Sequence, residues 1–285
     1  MRILVTGALG RLGSQLVKIL STSQEVTGVD IPDFDLADFN ATRAYVTQYR
    51  PDLVIHPAAW TDVDGCARDP ERAIQINGFG TQHIALATAE IGAAMVYVST
   101  NEVFDGALRR SYYEYDLQNP TNPYGYSKFV GERAVISLNP RHYIVRTAWL
   151  FAHGGKNFIQ SILAAAATGK TLRVVTDEVA NPTYNDDLAE AIEALITTGR
   201  YGIYHFVNQG TCSRYTFARY ALDHAGYANT PLTPITRHEW QRLSTPPMYC
   251  SLSNLAGAQI GIQLRPWQTA VDAFLAKEQL LQVSK

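Results

Sequence analysis

Tyr124 and Lys128 form a Y-x-x-x-K pair. On a helix, positions i and i+4 share one face, so a phenol and an ammonium would stand side by side. A neighbouring positive charge favours the phenolate. It moves a tyrosine from its ordinary pKa of ~10 towards acid–base use near neutral pH. The chain has 16 tyrosines, so the spacing alone is a weak signal and a surface helix pair would look the same. Two features give it weight: Ser99 and Thr100 at the end of the apolar stretch AMVYVST, and a glycine-spaced segment at the start of the chain.

That segment is MRILVTGALGRLGSQLVKILSTSQEVTGVD. Gly7, Gly10 and Gly13 follow a short apolar run and precede Leu12, Leu16, Ile19 and Leu20 at helical spacing. Gly7 suits a tight turn out of a strand, Gly10 a close backbone approach to a pyrophosphate, and Gly13 close helix–strand packing. The helix start offers free N–H groups and the positive end of its dipole to phosphate. Leu9, Arg11 and Leu12 lie in the same loop and join the cofactor-facing set. Asp30 ends the next apolar run 23 residues after Gly7, near the spacing expected of an acid that binds a ribose 2′-hydroxyl. The whole unit reads as a dinucleotide site. Asp30 favours NADH over NADPH, because a carboxylate repels a 2′-phosphate; Arg11 is either a partner for that phosphate or a solvated helix-start side chain.

These groups need a scaffold that brings strand ends together. Strands are expected at 2–6, 25–29, 52–59, 94–100, 142–147, 172–175 and 203–208. Helices are expected after Gly10, after the loop 33–38, over 71–92 with breaks at Gly78 and Gly80, and over 124–137, 157–168 and 186–197. Two more follow: 214–224 with Ser213 as its cap, and a last helix from near Pro266 through Leu275. A polar loop fills 106–123. Strands alternating with helices imply an α/β fold, a Rossmann-type doubly wound parallel sheet, with a smaller C-terminal α/β lobe. Ligands in such sheets sit beyond the strands' carboxyl ends, where Gly7, Ala58, Ala59, Ser99 and Thr100 fall.

Composition narrows the classes. The 285 residues allow one large domain or two unequal ones, and 46% hydrophobic with 18% charged residues is ordinary for a globular protein. A net charge of −2 gives no general attraction to nucleic acid or anionic membrane. No apolar run reaches the ~20 residues of a membrane span, and the chain enters a strand directly after Met1, so no signal peptide is expected. Three scattered cysteines, Cys66, Cys212 and Cys250, without a C-x-x-C, point to a reduced cytoplasmic setting and no metal.

The chain resembles the extended short-chain dehydrogenases/reductases and, within them, the dTDP-4-dehydrorhamnose reductases. The stretches that carry this are HPAAWTDVDGCARDP, VSTNEVFDG, NPYGYSKFVGE, VRTAWLF, NPTYNDDLA and LRPW, in the family's order over almost the whole chain. The resemblance implies reduction of a nucleotide-linked 4-keto-6-deoxy sugar by NADH or NADPH. Tyr124 would be the general acid at the C4 oxygen, Lys128 would orient the cofactor ribose and lower the phenol's pKa, and Thr100 would hydrogen-bond the sugar. Asp35 and Leu36 would flank the adenine, and Ala58, Ala59, Thr61 and Ser99 would line the cofactor cleft, with Asn77 supporting the site. Trp149, Asn157 and Thr183 would shape the sugar-nucleotide pocket, although core packing is an equal reading for Trp149. Residues 1–150, with parts of 180–210, would form the NAD(P)-binding domain, and 151–285 mainly the substrate lobe. The expected assembly is a monomer or homodimer with a nucleotide-sugar substrate, no nucleic acid and no membrane.

The chain departs from the family in three places. The usual S-T-D-Y-V-F reads Ser99-Thr100-Asn101-Glu102-Val103-Phe104. This is similar to the T-D-E of sugar-nucleotide 4,6-dehydratases with the aspartate neutralised, and Glu102 either faces the sugar or points to solvent. The acidic residues by which some members hold a metal are represented on the first helix by Gln15, so no metal is expected. An arginine-proline-x-asparagine segment reads Pro246-Pro247-Met248-Tyr249-Cys250. The rival functions are an epimerase or 4,6-dehydratase, and a non-catalytic dinucleotide-binding subunit.

Overall fold

Alternation along the first strand shows how the layers are made. In a computed structural model describing residues 1–31 and 33–282, Ile3 and Val5 of β1 (Arg2–Thr6) enter one apolar core while Leu4 enters another. The same split recurs at Leu53 and Ile55 against Val54, and at Val96 and Val98 against Met95 and Tyr97. Successive strand side chains point to opposite faces, so a run apolar at every position demands cover on both sides. The sheet contains β1, β2 (Glu25–Val29), β3 (Leu53–His56), β4 (Ala94–Thr100), β5 (His142–Thr147) and β6 (Gly202–His205), all parallel, in the order β6-β5-β4-β3-β1-β2. The order reverses between β1 and β3, and that switch point opens the crevice at their carboxyl ends.

Helices α1 (Arg11–Leu20), α2 (Phe39–Tyr49), α3 (Gly80–Ile91), α4 (Pro123–Leu138), α5 (Phe158–Ala167), α6 (Asn185–Ile196), α7 (Arg214–His224) and α8 (Trp267–Lys277) supply the cover and the second core. Leu12, Leu16 and Leu20 of α1 pack with Leu188, Ile192 and Leu195 of α6 on one face. Val46, Ile84 and Val135, from α2, α3 and α4, pack on the other. A separate core joins α5, α7 and α8 through Ile159, Leu163, Phe217, Ala221, Val271 and Phe274. Beside it, Leu172–Val175 pairs in parallel with Leu232–Ile235.

Two local expectations are corrected. Glycines do not break the helix over 71–92: Pro70–Ala73, a π-helical turn Ile74–Phe79, and α3 run on without interruption. Both glycines serve packing, since a Cβ at Gly78 would lie 2.9 Å from Val130 and one at Gly80 3.1 Å from Leu36. Pro266 stands at the N-cap of α8, not in its first turn. Ser213 caps α7 as expected, accepting from the Thr216 N–H at 3.0 Å. The short helix Val63–Arg68 and the two-residue strands of the second lobe gave no period to read.

Candidate active site

The crevice is a cleft of about 1110 Å³ running from the glycine loop to the second lobe. At one end β1 turns through Gly7 at φ +61°, a backbone state that L side chains avoid. A Cβ there would sit 2.8 Å from Ala58 Cα, and one at Gly13 would sit 2.1 Å from the Gly7 carbonyl oxygen. Helix and strand can approach this closely only without side chains. Gly10 is the N-cap of α1, which carries no side-chain cap, so its first N–H groups face the cleft unpaired. Leu9, Arg11, Leu12, Asp30, Leu36, Ala58, Ala59 and Thr61 all line the same wall.

At the other end Thr100, Tyr124 and Lys128 converge. Asn122 caps α4 by accepting from the Gly125 N–H at 2.8 Å, and Pro123 occupies the first turn. A Cβ at residue 125 would lie 2.0 Å from the Glu102 carbonyl oxygen. The glycine lets α4 press on the turn after β4, which sets Tyr124 beside Thr100. Asn77, delivered by the π-helical turn, accepts from the Trp60 N–H (2.7 Å) and donates to the Trp60 carbonyl (3.0 Å) and Ser127 Oγ (2.9 Å). Ser127 Oγ then donates to the Tyr124 carbonyl at 2.8 Å. Asn77 therefore ties the cofactor wall to the Tyr124 helix while standing off the cleft itself. Further back, Thr6 Oγ1 meets His56 Nδ1 at 2.7 Å, and His56 Nε2 meets Thr81 Oγ1 at 3.2 Å. Thr81 spends its proton on the Asn77 carbonyl at 2.7 Å, so His56 must donate from Nε2 and accept at Nδ1. Burial and nearby Lys128 hold this imidazole neutral, pushed down to about 3.

The electrostatics depart from the i, i+4 expectation. Tyr124 is held well above its ordinary pKa, first by burial and then by the Glu102 carboxyl; the adjacent Thr100 hydroxyl opposes the rise. Lys128 is not what sets it. Burial pushes the Lys128 ammonium down to about 7, partly opposed by Glu132. Only 2% of Lys128 is exposed, Nζ lies 4.2 Å over the Tyr97 ring, and it has no hydrogen-bond partner among the described residues. Thr147 Oγ1, also on the cleft wall, is likewise unpartnered. Together with the uncapped helix start and the side-chain-free glycine turn, these orphaned groups fit a dinucleotide. Its phosphates match the N–H groups of α1 and its ribose hydroxyls match the Lys128 ammonium.

Several expected residues are engaged elsewhere. Ser99 lines the cleft, but its hydroxyl donates to Glu132 at 2.5 Å. Asp35 is exposed off the cleft and accepts from the Ala37 N–H. Asn157 caps α5 through Oδ1 and donates to the Ala152 carbonyl through Nδ2. Thr183 is fully buried in a short parallel pairing with Leu150. Asn101 lines the cleft, yet its Nδ2 donates to the Cys250 carbonyl at 2.8 Å. Arg11 reaches across the cleft to the Lys156 carbonyl, and Asp30 accepts from the Leu9 N–H at 2.9 Å. Trp149 faces the cleft at φ +42°, a strained state for an aromatic residue.

Sequence reading missed Arg214, whose guanidinium stacks 3.6 Å over Trp149, lines the cleft and is pushed down to about 10 by burial. Its place beside the Ser213 cap was legible; its orientation depends on a lobe contact that local sequence does not encode. Trp60 and Lys156 also line the cleft.

Comparison with known proteins agrees with this geometry. The family described as RmlD substrate binding domain matches residues 1–280. The chain is 38% identical to the spore coat polysaccharide biosynthesis protein SpsK of Bacillus subtilis, over 96% of each chain. A dTDP-4-dehydrorhamnose reductase from Clostridium acetobutylicum superposes with a TM-score of 0.94 at 35% identity, covering 98% of this chain and 100% of that one. The corresponding enzyme from Bacillus anthracis, solved in complex with NADP, superposes at 0.92 with 32% identity, covering 97% and 99%.

Proposed function

This chain belongs to the RmlD substrate binding domain family, and from that premise we propose the reaction and the residue roles that follow. The protein is an NAD(P)H-dependent reductase of a dTDP-linked 4-keto-6-deoxy sugar, with dTDP-4-dehydro-L-rhamnose as its substrate. The observation that carries the roles is the convergence of Thr100, Tyr124 and the unpartnered Lys128 ammonium at one end of a cleft whose other end is a phosphate-type glycine turn. When bound, the reduced nicotinamide supplies a hydride to the ketone carbon. Tyr124, kept protonated by burial, gives its proton to the C4 oxygen, and Thr100 holds that oxygen. Lys128 holds the ribose, and Asn77 fixes the Tyr124 helix against the cofactor wall. Incubation with the ketosugar should consume NAD(P)H, whereas dTDP-glucose with NAD⁺ should lose no water, because the Asn101 carboxamide cannot act as a general acid. Catalytic water loss from dTDP-glucose would favour the dehydratase instead. Among the described residues no helix is long and apolar enough to cross a membrane.

The role of Lys128 gives a pH dependence with a definite sign. Its free-protein pKa is about 7, and ribose oxygens favour the ammonium, so the complex holds the proton to higher pH. Above pH 7, binding must take up a proton. Cofactor affinity should fall as pH rises, by up to about tenfold per unit, and be flat below it. Titrations from pH 6 to 9 measure this, with Lys128→Met expected to give a flat profile; a flat wild-type profile contradicts the assignment.

Cofactor preference follows from Asp30 and Arg11. The Asp30 carboxylate stands on the cleft wall while the Arg11 guanidinium is committed to the Lys156 carbonyl, which supports NADH over NADPH. A like-charge contact at about 4 Å and intermediate dielectric is worth a few kcal/mol before screening, so kcat/KM should favour NADH by roughly tenfold. A clear NADPH advantage would mean that Arg11 turns to the 2′-phosphate.

A further inference from the structure

We propose that Glu102 is a base facing the ketone, so that the site also exchanges the proton on the carbon beside the carbonyl. The identity of the ketone rests on the reductase reading above. Glu102 lies two positions past Thr100, in the turn Asn101–Val103 that leaves the carboxyl end of β4. Its side chain lines the cleft with Thr100 and Tyr124. It is held from two directions: Asn122 Nδ2 donates to Oε2 at 2.7 Å, and Gly125 packs on its backbone. Oε1 takes no hydrogen bond from the described residues. The charge acts on Tyr124 directly, holding the phenol's proton on. Burial raises the Glu102 carboxyl above the usual range, opposed by Asn122 and then by Arg242 and Arg214, with Glu178 adding to the rise.

A ketone with donors on its oxygen and a carboxylate beside its α-carbon is set up to enolise; a tyrosine donor with a carboxylate base is an established arrangement for that chemistry. Here Thr100 and Tyr124 would meet the oxygen and Glu102 the adjacent C–H. That bond breaks with its proton passing to Oε1. Its electron pair forms a carbon–carbon double bond, and the carbonyl pair moves to the oxygen, which takes the Tyr124 proton. On reversal Tyr124 recovers its proton, and Glu102 returns one that has equilibrated with water. Nothing is oxidised or reduced and no group leaves, so the missing acid at Asn101 is immaterial. A burial-raised carboxyl is a stronger base than a free one, which suits this task.

The test is deuterium incorporation. Wild-type protein with NADP⁺ and dTDP-4-keto-6-deoxy-D-glucose in D₂O should place deuterium beside the ketone at least about tenfold faster than buffer. Glu102→Gln should lower the enzymatic rate on the order of 10²-fold, with NADP⁺ affinity retained as evidence of folding, and Glu102→Asp should recover part of it. Wild-type exchange no faster than buffer overturns the proposal, as does undiminished exchange by Glu102→Gln. If that variant does not bind NADP⁺, Glu102→Asp decides: partial exchange supports the base and none overturns it. NAD(P)H consumption by wild type with dTDP-4-dehydro-L-rhamnose is read separately. Reduction without exchange sinks this inference alone, and exchange without reduction sinks the reductase reading alone.

Discussion

Tyr124→Phe should lower kcat by on the order of 10²–10⁴-fold, the range of a positioned acid, while cofactor affinity changes by no more than a few-fold. The phenol is the proposed proton donor beside Thr100, and the burial of its hydroxyl keeps it protonated at neutral pH. The helix that carries it is held by other groups: the Asn122 cap, the Gly125 contact and the Asn77–Ser127 link. Removing one hydroxyl therefore leaves the scaffold and the glycine turn intact. Steady-state kinetics with a parallel cofactor titration separate the two effects. Turnover within tenfold of wild type would mean that another group supplies the proton.

The second large effect is on stability. Arg146 on β5 and Glu132 on α4 form a two-pronged pair, Nε to Oε1 at 2.9 Å and Nη2 to Oε2 at 2.7 Å, with both side chains fully buried. Ser99 and Gln118 also donate to Glu132, and Arg146 Nη1 donates to the Glu114 carbonyl. His205 Nε2 lies 3.2 Å from the same nitrogen; burial and the guanidinium keep that ring well below its usual pKa, so it accepts. Breaking a buried pair from one side strands the other charge and costs about 3–5 kcal/mol. Arg146→Met should lower the melting temperature on the order of 10 °C. Replacing both partners by apolar residues should recover much of the loss. A single variant as stable as wild type would show that the pair is not what holds β4, β5 and α4 together. Because Ser99 precedes Thr100, the single variant should also slow turnover.

The strands of the sheet were legible because burial on both faces leaves an apolar run at nearly every position, as in Ile3–Leu4–Val5. The glycine turn and the Ser213 cap were legible because each is a local backbone requirement. The helix through Gly78 and Gly80 was misjudged because propensity is local, whereas those glycines answer to Val130 and Leu36 across the packing. Spacing put Tyr124 and Lys128 on one face but not under cover, so it predicted a lowered phenol where burial raises it and lowers the lysine instead. Asn157 and Thr183 lie on family-like stretches, yet in the fold the one caps α5 and the other is fully buried in a strand pairing. Arg146 within the strand HYIVRT gave no reading from the sequence, because its burial is fixed by an ion pair across the packing. Its partner, 14 residues upstream, could not be read from the sequence.

The reaction itself is tested most directly by following a label. NADH or NADPH carrying deuterium at nicotinamide C4 is mixed with the protein and dTDP-4-dehydro-L-rhamnose, and the sugar product is read by mass and NMR. One deuterium is expected at sugar C4, transferred in step with cofactor oxidation and slowed on the order of 10²-fold or more in Tyr124→Phe. Cofactor left unoxidised in the presence of the ketosugar, or a product with no deuterium at C4, would contradict the proposed reaction.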